Sequence, residues 1–166
     1  DALRINELYD AFDKADGGLQ FVVREDWVQS LGLSWFFAVD GISLFLVVLT
    51  GLLFPIAILA AEPHHDPKAY YVWLMILMAG SFGVFMALDL LLFFLFFEIV
   101  LVPMYFLIGG WGHGRRIYAA LKFFLYTMAG SALMLVGIVA VAVLTARNTG
   151  QRITFDVTAL AEAQAL

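Results

Sequence analysis

The chain of 166 residues is 63% hydrophobic and 14% charged, far from the soluble norm of about half apolar and a quarter charged, so it reads as an integral membrane protein. It has no cysteine, which excludes disulfides, thiolate catalysis and cysteine-ligated iron–sulfur clusters within it. The net charge of −5 reflects an acidic flank, because seven of the fourteen acids lie in the first 26 positions, and it carries no signature of nucleic-acid binding.

In chain order, the sequence opens without an initiator Met or a signal segment and reads as starting inside a longer chain. Residues 1–38 are expected to lie outside the bilayer; "LQFVVREDWVQSLGLSWFF" alternates at Leu31, Leu33 and Trp35 like an extended surface strand. A criterion of about 20 apolar residues gives four spans, 39–61, 70–88, 89–109 and 119–144. The expected fold is therefore an all-α, polytopic transmembrane helix bundle. Asp40 in "VDGIS" caps the first span with Ser43 at its third position, and Pro55 kinks it. "EPHHDPK" is a loop, since two prolines and five ionisable side chains suit neither helix nor lipid. Asp89 sits at the seam between the second and third spans and caps the third. "GGWGHGRRIY" is a second loop, with Trp111 and Tyr118 in the headgroup zone. Residues 145–166 return to polar, turn-like sequence at "RNTGQR".

Four crossings put both flanks and the Asp89 seam on one side and the two loops on the other. Arg115 and Arg116, adjacent on a short connection, assign the loops to the cytoplasm and the flanks to the periplasm. Gly80, Gly83, Gly130, Ser131 and Gly137 are read as close-packing positions. His64, His65 and His113 fall in loops as solvated side chains, so neither haem nor a metal site is expected.

One residue resists this structural reading. Glu98 lies near the middle of the third span, too deep to reach the surface, where an acid costs about 2.5–3.5 kcal/mol. Burial disfavours the charged form of a carboxyl and a nearby cation favours it, so a group held between the two can exchange a proton near neutral pH. Pro103 cannot donate to the carbonyl of Ile99, which frees a backbone oxygen beside the acid. Tyr105, seven residues on, adds a hydroxyl to the same face, which Leu91, Phe94, Leu95 and Val102 complete as a narrow pocket. Proton transfer is assigned to Glu98, with Pro103, Tyr105 and Lys122 as polar support. Lys122 is near enough to a helix end to snorkel. The bland alternative makes Glu98 an inter-helix contact and Pro103 an inert kink.

The segments "VDGISLFLVVLTGLLFPIAILA", "GVFMALDLLLFFLFFEIVLVPMYFLIGGWG" and "RRIYAALKFFLYTMAGS" resemble the antiporter-like M subunit (chain 4) of respiratory NADH:quinone oxidoreductase, complex I. "FFE", then the proline-containing "LVPMYFLIGGWG", then "KFFLYT" carry the resemblance. It implies that the four spans are the third to sixth of about fourteen, that Glu98 is the glutamate of the fifth helix, and that the flanks are periplasmic. It further implies proton translocation driven by quinone reduction elsewhere in the complex, with no redox centre, cofactor or metal in this chain. NADH, FMN, iron–sulfur clusters and quinone would belong to partner subunits. The implied partners are other membrane subunits, neighbouring antiporter-like ones above all, and the lipid bilayer. The implied location is a bacterial inner membrane, or the mitochondrial inner membrane if organellar. The family lysine thought to pair with this glutamate lies on the seventh helix, beyond Leu166. Lys122 matches a family position without being the pumping lysine. Two alternatives stand beside this one: a subunit of a multi-chain cation/proton antiporter, and a structural membrane subunit.

Overall fold

A computed structural model describes residues 18–28 and 32–164. Two antiparallel strands, β1 (Gln20–Val28) and β2 (Leu33–Val39), lead into four long helices: α1 (Gly41–Ala60), α2 (Pro67–Met86), α3 (Leu90–Trp111) and α4 (Arg116–Thr149). A short helix, α5 (Val157–Gln164), follows. All four long helices are long and apolar enough to cross a membrane, and the chain is a multi-pass membrane protein. Packing runs α1 on α2, α2 on α3 and α3 on α4, which leaves α3 between two neighbours.

Local chemistry sets the helix starts. Asp40 accepts from the Ser43 amide at 2.6 Å while its own amide donates to Ser43 Oγ at 2.9 Å, so two otherwise orphaned N–H groups are satisfied reciprocally. The Ser43 amide bond holds the Asp40 carboxyl below the usual carboxylate range. Pro67 occupies the first turn of α2, where a missing N–H costs nothing. Pro55 and Pro103 lie inside α1 and α3 without ending either helix. At about 1.5 Å per residue, the 34 residues of α4 reach roughly 50 Å and outrun a hydrocarbon core of about 30 Å. Both ends of α4 therefore extend past the expected span of 119–144.

The small residues divide into two groups. A Cβ on Gly83 would collide with the Phe96 ring, and one on Gly80 would crowd Val100, so these two glycines let α2 and α3 approach closely. Gly130 and Gly137 have open space around them and face outward from α4. They are not packing positions within this chain, which corrects the expectation from sequence.

Most of the polar organisation gathers where α2 turns into α3. The seam runs extended between β2 and the segment before α5: the Leu88 amide donates to Phe36 O, Leu90 to Phe155 O and Val157 to Leu88 O, all at 2.8–2.9 Å. Leu33, Ile138, Ala142 and Phe155 form a buried cluster at this end. Gly32 (φ +71°) passes so near the backbone of Ile153 that a Cβ would strike its carbonyl oxygen. Two expectations change as a result. The region after Arg147 is no simple turn-like tail, because α4 continues to Thr149 and the chain then folds back and ends in α5. Along β2 the inward residues are Leu33, Ser34, Phe36 and Ala38, while Trp35 is exposed; Leu31 lies outside the described residues. This facing brings Ser34 to Asp89.

Candidate functional site: a buried acid in α3

Asp89 and Glu98 are the two acids tied to α3, and their surroundings differ. Asp89 is fully buried. Its Oδ1 accepts from the amides of Leu91 (2.9 Å) and Leu92 (3.1 Å), capping α3, and its Oδ2 accepts from the amide (3.0 Å) and hydroxyl (3.3 Å) of Ser34. Four donors meet two oxygens, so the buried carboxylate is saturated.

Glu98 lies roughly 12 Å along α3 from Leu90 and roughly 20 Å from Trp111. Its Oε1 is buried and makes no hydrogen bond. Pro103 is fully buried one turn further on and has no N–H for the carbonyl of Ile99. Tyr105 lies two turns from Glu98, and its ring stands edge-on to Phe124 of α4 at 5.5 Å. Phe94 and Leu91 pack against the cluster that holds Ile138 and Ala142. The face of α3 that carries Glu98 is thus the face turned to α4.

The remaining support residues fall elsewhere. Val102 is 44% exposed and does not close this face. Tyr105 lines a cavity of about 370 Å³ together with Trp73, Gly109, Trp111 and Ala120, but Glu98 does not line it. Lys122 is exposed among Tyr118, Leu121, Leu125 and Tyr126. Two residues turn a helix by about 200°, so Lys122 points away from the stripe begun by Ala120 that meets α3. The structure does not bring Lys122 to Glu98.

At the opposite end from Asp89, the two loops are joined. Trp111 Nε1 donates to His65 O at 2.7 Å and the two rings stack at 5.3 Å, so the His65 ring, which stays exposed as expected, also rests on an aromatic neighbour. Among the described residues, no group of His, Asp and Glu could hold a metal ion. Sequence reasoning missed Asp156, which accepts from the Thr158 and Ala159 amides at the start of α5 and pairs with Arg24 at 2.9 Å. An acid followed two residues later by Thr, just before an apolar helical stretch, was the available signal.

Comparison with known proteins adds a second line of argument. Residues 87–164 match a family described as NADH:quinone oxidoreductase/Mrp antiporter, transmembrane. The chain is 44% identical over 160 residues to an NAD(P)H-quinone oxidoreductase chain 4 of Nostoc sp., covering 96% of this chain and 29% of that protein. It is 50% identical over 130 residues to the NADH-quinone oxidoreductase subunit M of Rhodobacter capsulatus, covering 78% and 25%. The chain spans less than a third of the length of these relatives. Its fold is similar to part of a chain in respiratory complex I from Thermus thermophilus (TM-score 0.70, 24% identity, 96% of this chain and 32% of that one). It is also similar to part of a chain in an archaeal membrane-bound sulfane sulfur reductase (TM-score 0.63, 24% identity, 91% and 22%). At such identity the structural likeness speaks for the fold alone.

Proposed function

We propose, for a chain whose residues 87–164 belong to the NADH:quinone oxidoreductase/Mrp antiporter transmembrane family, that it is the part of a proton-translocating, antiporter-like subunit that holds a protonatable acid in mid-membrane. The complex is an NADH:quinone oxidoreductase, a reading supported by the chain 4 and subunit M relatives. Redox chemistry, with NADH, FMN, iron–sulfur clusters and quinone, belongs to partner subunits. The exposed apolar faces of α1 and α4 meet lipid and neighbouring membrane subunits.

The observation that carries this reading is the buried, unbonded Oε1 of Glu98. An inter-helix contact would spend that oxygen on a donor from α2 or α4, because an unmet acceptor in an apolar surrounding costs about 1–3 kcal/mol. An acid that receives and releases a proton must instead keep part of its bonding capacity open to a moving partner. The carbonyl of Ile99, left without its helix donor by Pro103, offers a polar foothold one residue away. Tyr105 extends the polar face toward the loop end.

Two experiments test the reading. In the full-length subunit within its complex, Glu98→Gln should assemble normally and lose most proton pumping, while Glu98→Asp, which still titrates, should lose less. An inter-helix contact forecasts the reverse: Gln nearly silent and Ala defective in assembly. Orientation is tested separately, since the chain has no native cysteine. A cysteine at His113 should react with an impermeant thiol reagent from the cytoplasm and one at Thr149 from the periplasm, in a bacterial inner membrane. Labelling of both from one side would overturn the four-span topology.

A further inference from the structure

We propose that the outer face of α4, at its loop end, binds one anionic phospholipid, with Lys122 on the phosphate and Tyr126 on the ester region below it. The inference does not depend on the role of Glu98 and needs only that α4 spans the bilayer. Tyr118, Leu121, Lys122, Leu125 and Tyr126 follow one another at steps of one, three or four residues that keep them on one face of the helix. All five are exposed and line an open groove of about 590 Å³. This face points away from Ala120, the residue of α4 that lies against Gly109 of α3.

Two polar groups on this face lack a partner. Among the described residues, neither the Lys122 ammonium nor the Tyr126 hydroxyl meets a hydrogen-bonding or charged neighbour. A cation or hydroxyl left unpaired beside hydrocarbon is costly, so each calls for a partner from outside the chain. Charge gives the sign of that partner. Between Glu98 and Asp156 the chain has no acid at all. Arg115, at the loop edge of the same face, lies over the Tyr118 ring at 4.8 Å and has no carboxylate, whereas Arg116 is committed to Gly110 O at 2.6 Å.

Depth gives the kind of anion. Lys122 lies six residues into α4, about 9 Å from its first residue. Helix side chains lean toward the N-terminus, here the loop end, so the ammonium rises toward Tyr118 at the headgroup level. Tyr126 is one turn deeper, about 6 Å, where its hydroxyl can donate to an ester carbonyl, and Leu121 and Leu125 offer an apolar bed for an acyl chain. Cations above and a hydroxyl below match the vertical order of groups in a phospholipid. A carboxylate from another helix would meet Lys122 but leave the Tyr126 hydroxyl and Arg115 unmet. Two cations without an acid favour a headgroup of net negative charge over a zwitterionic one.

The test uses the full-length subunit in its assembled complex, reconstituted into vesicles of equal parts phosphatidylglycerol and phosphatidylcholine, with one or the other radiolabelled. A photo-crosslinking benzophenone amino acid in place of Leu125 reports what occupies the groove; one in place of Leu121 serves if the first impairs assembly. Phosphatidylglycerol should be captured about 25-fold more than phosphatidylcholine, the preference expected of two basic residues near an anionic lipid, and Lys122→Gln should lower the ratio to about fivefold. Lys122→Arg, which keeps the charge, should leave the ratio high. Equal capture of the two lipids, or a ratio unchanged by Lys122→Gln, overturns the proposal. Capture of a protein chain in place of lipid from both positions also overturns it and assigns this face of α4 to a neighbouring helix.

Discussion

Asp89 and Glu98 stand nine residues apart at one helix and hold their carboxyl groups in opposite ways. Asp89 closes the seam with every oxygen bonded, to α3 amides on one side and to Ser34 on the other. Glu98 lies in the middle of the span with Oε1 buried and unmet. Both are acids in apolar surroundings. The saturated one is part of the fold, and the unsaturated one is the acid we propose as the proton site.

That contrast orders three substitutions by their effect on stability. Asp89→Asn keeps the shape but turns an amide N–H toward donors, leaving Ser34 partly unmet; at about 1–3 kcal/mol per stranded buried group, the loss should be about 3 kcal/mol. A lowered thermal midpoint of the assembled subunit would show it, and an unchanged midpoint would mean that the seam tolerates an open donor. Asp40→Ala should cost less, about 1 kcal/mol, because it removes one local cap at a helix start that water can reach. Its pH dependence has a definite sign. The Asp40 carboxyl is held below the usual range, so its contribution is complete above the unfolded carboxylate pKa and is lost as pH falls through the lower folded value; Asp40→Asn should flatten that acid-side loss. Glu98→Gln should be the mildest of the three for stability, since no hydrogen bond to Oε1 is there to be broken.

How far the sequence disclosed this depends on distance along the chain. The capping box of Asp40 and Ser43 was legible because both partners lie within one turn. The four long helices were legible because hydropathy over about 20 residues is a local property. Asp89 was half legible: its cap is local, but its bonds to Ser34 cross 55 positions and depend on β2 folding against the seam. The same long-range closure hid α5 and the pairing of Arg24 with Asp156. Lys122 shows a different limit, because counting residues gave its depth and only packing gave its face. Glu98 stood out in sequence as a costly acid, whereas the missing partner of its buried Oε1 emerged only from the packing of α3 on its neighbours.

The most direct test sets the two isosteric amide substitutions side by side, measuring protons pumped per NADH oxidised and the thermal midpoint on the same assembled complexes. Glu98→Gln should keep the midpoint and lose most of the pumping. Asp89→Asn should lower the midpoint, while the complexes that remain assembled pump at the wild-type ratio. A fully assembled Glu98→Gln complex that pumps at the wild-type ratio would contradict the account.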